Sequence, residues 1–147
     1  MKGSVIMNKD KIELKTETAP KHIEGLTPYK LKYALKGFFI EPAESKEEAE
    51  KQVKEHILQC LAKMEEILDT KLTLREEMDV LEAPDNDYDV HFVIDGFMYL
   101  RAPNEESAML TGDHYIQDRV DQLERILGTA LEDMDYVYEV ELDTEAK

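Results

Sequence analysis

Two stretches of the chain alternate apolar and polar positions. Leu31, Tyr33 and Leu35 alternate with Lys30, Lys32 and Ala34, and Val90, Phe92 and Ile94 alternate with Asp89, His91 and Val93. A period of two, rich in aromatic and β-branched residues, predicts strands. Each run then meets a glycine, as Lys36-Gly37 and as Asp95-Gly96. Asp-Gly between apolar runs favours a two-residue type I′ turn, which needs positive φ at both central positions. Each run is therefore expected to fold back as a hairpin, returning as Phe38–Glu41 and Phe97–Arg101. The alternative is one long strand with a glycine bulge.

The period then changes to that of a helix. Ala49, Val53, Ile57, Cys60, Leu61, Met64, Ile67 and Leu68 recur at spacings of three and four, with Glu47, Glu50, Lys51, Lys54, Glu55, Lys63 and Glu66 on the other face. Ser45 is the expected N-cap, with Glu48 three residues later to complete a capping box. In the second half Asn104 is the expected N-cap, and Ile116, Val120, Leu123, Ile126 and Leu127 carry the stripe. Gly112 interrupts it, so that helix is expected to break there or to begin late, near Asp113.

Gly37 falls on Gly96 at an offset of 59 positions, and the register continues without a gap. Phe38 meets Phe97, Ala43 meets Ala102, Glu47 meets Glu106, Ile57 meets Ile116, Ile67 meets Ile126, and Thr70 meets Thr129. Identities in phase with the apolar pattern indicate an internal duplication. A period near 60 is too long for a solenoid, so the copies are expected to form one pseudo-symmetric domain. Each unit closes with a strand. Tyr136, Tyr138, Val140 and Leu142 alternate with Val137, Glu139, Glu141 and Asp143, and the first copy, Leu72–Leu81, is less regular.

The expected fold class is therefore α+β, with two pseudo-symmetric hairpin–helix–strand units forming an antiparallel sheet with two helices on one face. If each hairpin is one strand, the order becomes the ferredoxin-like βαββαβ. Residues 1–27 read as a flexible N-terminal arm with a short strand at Ile12–Thr16, and residues 28–147 as a single domain with repeats over 29–84 and 88–143. Met7 offers an alternative start to Met1.

The segment Ala43-Glu-Ser-Lys-Glu-Glu-Ala49 resembles the hairpin–helix start, A-x-S-x-E-E-A, common in small proteins of phages and mobile elements. Ala102-Pro-Asn-Glu-Glu-Ser-Ala108 keeps part of it. The motif is a cap with an acidic first turn and carries no catalytic residue.

Charge adds more than composition does. The 147 residues carry a formal net charge of −16. Residues 1–81 contribute −2, whereas residues 82–147 contribute −14, with Arg101, Arg119, Arg125 and Lys147 their only Lys or Arg. Such a half repels nucleic acid and anionic membrane and attracts basic proteins. No apolar run is long enough to span a bilayer, and Val5–Met7 is too short for a signal sequence. A single cysteine, Cys60, makes no internal disulfide, which suits a cytoplasmic location, the host cytoplasm if the chain is phage-encoded.

Candidate chemistry is sparse. Cys60, flanked by Ile57, Leu61 and Met64, is expected to be a buried thiol, with only His56 near enough in sequence to act as its base. Asp85-Asn-Asp87-Tyr-Asp89 opens like a calcium loop, but Val90 stands where that loop needs glycine and Gly96 where it needs glutamate, so a solvated turn after Pro84 is expected. His22, His56, His91 and His114 show no metal-ligand spacing. Asp113-His114 beside Asp118 could make an acid–base pair, and Glu41 with Glu44 a pair of carboxylates, but ordinary surface groups are expected in a chain so rich in carboxylates. Phosphate loops and nucleophile elbows are absent. Phe38, Phe39, Phe97 and Tyr99 lack the basic surround of a nucleic-acid platform and suit packing or an interface. No enzyme activity, cofactor or metal is expected.

The remaining feature is the acidic set Asp85, Asp87, Asp89, Asp95, Asp118, Asp121, Glu132, Asp133, Asp135, Glu139, Glu141 and Asp143. Alternate strand residues lie ~6.5–7 Å apart, comparable to phosphates along one nucleic-acid strand. The expected function is a non-enzymatic interaction module for a basic protein. Its sharpest form is a nucleic-acid mimic that inhibits a nuclease or other nucleic-acid-binding protein, in the manner of anti-restriction and anti-CRISPR proteins. Neither direct nucleic-acid binding nor membrane binding is expected. The competing readings are a small-ligand-binding regulatory domain, using a cleft between repeats, and a homo-oligomeric assembly subunit such as a homodimer.

Overall fold

The computed structural model describes residues 25–132 and 136–144. The expected arm, apart from residues 25–27, lies outside the described residues, as does its strand at Ile12–Thr16. In chain order the elements are β1 (Thr27–Pro42), α1 (Lys46–Leu68), β2 (Thr73–Leu74), β3 (Asp79–Ala83), β4 (Asp87–Ala102), α2 (Glu105–Gln117), α3 (Val120–Leu127) and β5 (Val137–Leu142). A 3-10 turn, Pro84–Asn86, joins β3 to β4 as a tight hairpin.

The two long strands do not fold back at their glycines. β1 and β4 run as 16-residue strands and pair antiparallel from Thr27↔Ala102 to Pro42↔Asp87, with neither hairpin nor bulge. The reason lies across the ladder. Gly37 stands opposite Phe92, and Gly96 opposite Tyr33. A Cβ on Gly37 would lie 2.8 Å from Phe92 Cζ, and one on Gly96 2.6 Å from Tyr33 Cζ. Both glycines keep ordinary φ; among the described residues only Gly25 and Gly128 are glycines at positive φ. Each glycine therefore makes room for an aromatic ring from the neighbouring strand instead of making a turn. The ladder centres on Leu35↔Ile94, which are equivalent positions of the two copies.

Each unit's closing strand joins the other unit's opening strand. β5 pairs with β1, and β2 and β3 pair with β4, giving the order β2-β4-β1-β5 with β3 beside β2 on the same edge. Between Leu74↔Ile94 and Asp79↔His91, residues 75–78 face only Phe92 and Val93, so β2 and β3 are one strand broken by a bulge. The result is an α+β fold in the βαββαβ, ferredoxin-like arrangement.

The helices cover one face. Tyr29, Leu31, Tyr33 and Leu35 of β1 and Val90, Phe92, Ile94 and Leu100 of β4 are buried there against Val53, Ile57 and Met64 of α1 and Ala108 and Ile116 of α2. The caps repeat with the duplication. Ser45 Oγ accepts from Glu48 N (3.1 Å) and Asn104 Oδ1 from Ser107 N (2.8 Å). Beyond each helix end, Leu72 N donates to Glu65 Oε2 and Leu131 N to Glu124 Oε2, both at 2.8 Å.

The second helix does break, but not at Gly112. That glycine lies inside α2, where a Cβ would collide with Leu31 Cδ2, so its role is close approach of helix to sheet. The break falls at Asp118-Arg119, where Arg119 Nη1 donates to Tyr115 O (2.9 Å) and its guanidinium stacks 3.6 Å above the Tyr115 ring.

Candidate interaction surface

No described element covers the sheet face opposite the helices. Period-2 geometry places Lys30, Lys32, Phe38 and Ile40 of β1 there, with Asp89, His91, Asp95, Phe97 and Tyr99 of β4. This face has two ends of different character.

At the end nearest β5, opposite charges meet. Lys32 Nζ lies 3.6 Å from Glu141 and 3.9 Å from Glu139. The Lys30 ammonium stands 5.0 Å from the Phe97 ring centre and 5.8 Å from that of Tyr99. Asp95 receives a bidentate pair from Arg75, at 2.7 and 2.8 Å. Tyr138 Oη reaches the same carboxylate at 3.2 Å from β5. It does so because β5 shifts register between Lys32 and Tyr33 and skips Tyr138 in its pairing. That bulge also places Val137 in the core, where strict alternation predicted Tyr138 on the face of Tyr136. Burial, then the neighbouring Asp95 charge and its hydrogen bond, hold the Tyr138 phenol above its ordinary range, with the Arg75 guanidinium opposing.

At the opposite end carboxylates gather without such partners. Asp79, Asp87 and Asp89 lie on this face, and Asp85 in the turn below it; none forms an ion pair among the described residues. Asp85 and Asn86 occupy the left-handed region, at φ 63° and 61°, which folds the hairpin tightly. Here the register sets Ile40, Asp89 and Leu81 side by side on three adjacent strands, with Ile40 61% and Leu81 55% exposed. Phe38 stacks on His91 with ring centres 5.1 Å apart, and His91 Nδ1 lies 3.8 Å from Glu132.

The acidic set read from the sequence is therefore divided. Asp85, Asp87 and Asp89 share one end, with Glu132 beside His91. Asp95, Glu139 and Glu141 are matched by cations. Asp118 and Asp121 belong to the helix layer at the α2–α3 junction, and Asp143 follows β5, its amide donating to Pro28 O (3.0 Å). Asp133 and Asp135 lie outside the described residues. Ile40, Leu81 and Asp79 were not singled out from the sequence, because only the cross-strand register shows that they flank Asp89.

The remaining candidates resolve locally. Cys60 is 7% exposed, its Sγ donates to Ile126 O (3.3 Å), and burial pushes the thiol up, with Lys63 opposing. His56 Nε2 lies 3.7 Å from that sulfur but 2.6 Å from Leu127 O. A carbonyl can only accept, so Nε2 carries a proton and cannot take one from the thiol. Asp113 accepts from Gln117 Nε2 (2.8 Å), leaving His114 an exposed helix residue. Among the described residues no group of three or more His, Cys, Asp or Glu could hold a metal, and no helix is long and apolar enough to cross a membrane.

No family model matches the chain, and no curated protein matches it. Among solved structures it is similar to the solution structure of the C-terminal domain of the MgtC protein from Mycobacterium tuberculosis, at 18% identity, over 86% of this chain and 97% of that domain. The TM-score is 0.24, too low for the likeness to carry an argument.

Proposed function

We propose that the chain is a non-enzymatic, cytoplasmic interaction module that docks a basic protein on the acidic end of its uncovered sheet face. The observation behind this reading is the triplet Ile40, Asp89 and Leu81, adjacent in register, with both aliphatic side chains more than half exposed beside carboxylates that form no ion pair among the described residues. A surface that served only for solubility would not need two large aliphatic side chains beside its carboxylates. An aliphatic anchor ringed by charge is the composition of a protein interface, in which burial supplies affinity and charge supplies steering. In the narrower form, the partner is a nucleic-acid-binding protein and Asp85, Asp87 and Asp89 stand where phosphates would.

The test compares wild type with Ile40→Ser/Leu81→Ser and with Asp87→Asn/Asp89→Asn as immobilised baits in nuclease-treated lysate. The reading expects one basic protein that the wild type retains, that both variants lose, and that rising salt releases. Displacement by DNA or RNA supports the mimic form. Retention by both variants sinks the reading. Self-association of the wild type through this face, seen in sedimentation, replaces it with the assembly reading.

A further inference from the structure

A second feature lies on the other side of the sheet, at the seam between the two repeats. An open cleft of about 320 Å³ is lined by Phe39 and Glu41 of β1, Gln52, Val53 and His56 of α1, and Leu127 with Gly128 at the end of α3. Glu41 Oε2 and Pro42 O surround the Gln52 amide with acceptors, which assigns its nitrogen as the donor to Glu41 Oε2 at 2.7 Å, and His56 Nε2 donates to Leu127 O at 2.6 Å. Phe39 meets the His56 ring edge-on, 5.3 Å between centres.

The chemistry of this lining has one sign. Glu41 supplies a carboxylate, and the end of α3 supplies the negative pole of a helix, whose last carbonyls lack intrahelical donors. In its neutral form the His56 ring, with Nε2–H engaged, keeps Nδ1 as an acceptor. Among the described residues no lysine or arginine lines the cleft. The apolar part is an aromatic ring with Val53 and Leu127.

The duplication supplies an internal control. At the offset of 59, the cleft residues correspond to Met98, Leu100, Thr111, Gly112, Tyr115, Leu68 and Asp69. The frame is kept: Tyr115 Oη donates to Leu68 O (3.2 Å) just as His56 donates to Leu127 O. The space is not kept. Met98 and Leu100 are buried, at 8% and 2%, and Gly112 lets the helix close onto Leu31. One copy is thus filled by buried Met98 and Leu100, while the other is open and carries Glu41 where the first has leucine, and Gln52 and His56 where it has Thr111 and Tyr115. Polar groups at a half-buried seam cost stability relative to apolar packing, so packing alone does not account for them.

We propose that this cleft is a binding site for a small organic cation, an amine or guanidine whose charge sits between Glu41 and the end of α3 and whose short apolar body lies on Phe39. The site is independent of the sheet-face interface, on the opposite side of the sheet. Agmatine is the probe, titrated into the intact ¹⁵N-labelled protein, with glutarate and 1-butanol as anionic and neutral comparisons. Saturable amide shifts confined to Phe39–Glu41, Gln52–His56 and Leu127–Gly128 are expected. Glu41→Gln, isosteric and at a solvent-accessible position, should weaken agmatine about tenfold, the effect of one charge-assisted contact. Glu47→Gln, elsewhere on the acidic surface, should leave the affinity unchanged. Shifts spread over the carboxylates, equal losses in the two variants, equal binding of butanol, or no saturable shift would each overturn the proposal.

Discussion

Gly96→Ala is the substitution on which the reading of the long strands depends. The added Cβ would sit 2.6 Å from both Cζ and Oη of Tyr33, a side chain that is 0% exposed. Ordinary carbon contacts lie near 3.5–4.0 Å, so the ring has to move about 1 Å within a filled core. Overpacking of this kind costs about 1–3 kcal/mol. For a chain of this size that lowers Tm by roughly 3–10 °C. A second measurement separates this cause from a strained turn. In a Tyr33→Leu background the ring is gone, and Gly96→Ala should then cost under about 0.5 kcal/mol, giving a coupling energy of about 1–2 kcal/mol in a double-mutant cycle. Urea unfolding followed by circular dichroism reads all four proteins. A hairpin at Asp95-Gly96 would also penalise alanine, through its positive φ, but that penalty would be the same in both backgrounds. Additivity of the two substitutions would therefore refute the ring-over-glycine account.

Further expectations follow from the same core and surface. Tyr33 Oη is buried with no hydrogen-bond partner among the described residues, so Tyr33→Phe should be neutral or stabilising by up to about 1 kcal/mol in denaturant unfolding. Burial, with Tyr115 nearby, pushes the Tyr33 phenol well above its ordinary value, and Tyr115 and Tyr138 are also raised, burial leading in each. These phenols stay protonated in the folded chain while the unfolded chain loses its protons near pH 10, so their contribution is complete below that pH and is lost as pH rises above it. Tyr33→Phe should flatten that alkaline fall, and an unchanged slope would count against the burial. Asn104→Ala should cost about 1 kcal/mol by loss of the cap to Ser107 N, read as a lower urea midpoint with an unchanged m-value. Cys60 should react with a thiol reagent only at the rate of opening or unfolding, and rapid labelling of the native protein would contradict its placement.

Much of this architecture was determined by the sequence alone. Period-2 and period-3.6 patterning marked the strands and the faces of the helices, because burial of one face imposes those periods. The offset of 59 exposed the duplication, and Ser45 and Asn104 marked the helix starts, because caps satisfy local backbone donors and need no distant partner. What only the tertiary structure decided concerns residues whose role is set across the sheet. Gly37, Gly96 and Gly112 read locally as a turn, a turn and a break. Their actual constraint is Phe92, Tyr33 and Leu31, which lie on other elements and are brought close only by strand pairing and helix packing. The same holds for the surface. Lopsided charge was visible in the sequence, but register put Arg75 and Lys32 against Asp95, Glu139 and Glu141 while leaving Asp89 between Ile40 and Leu81. Charge adds along a chain regardless of folding. Whether a given carboxylate meets a cation or an exposed aliphatic side chain depends on which strands become neighbours, and that is a property of the whole sheet.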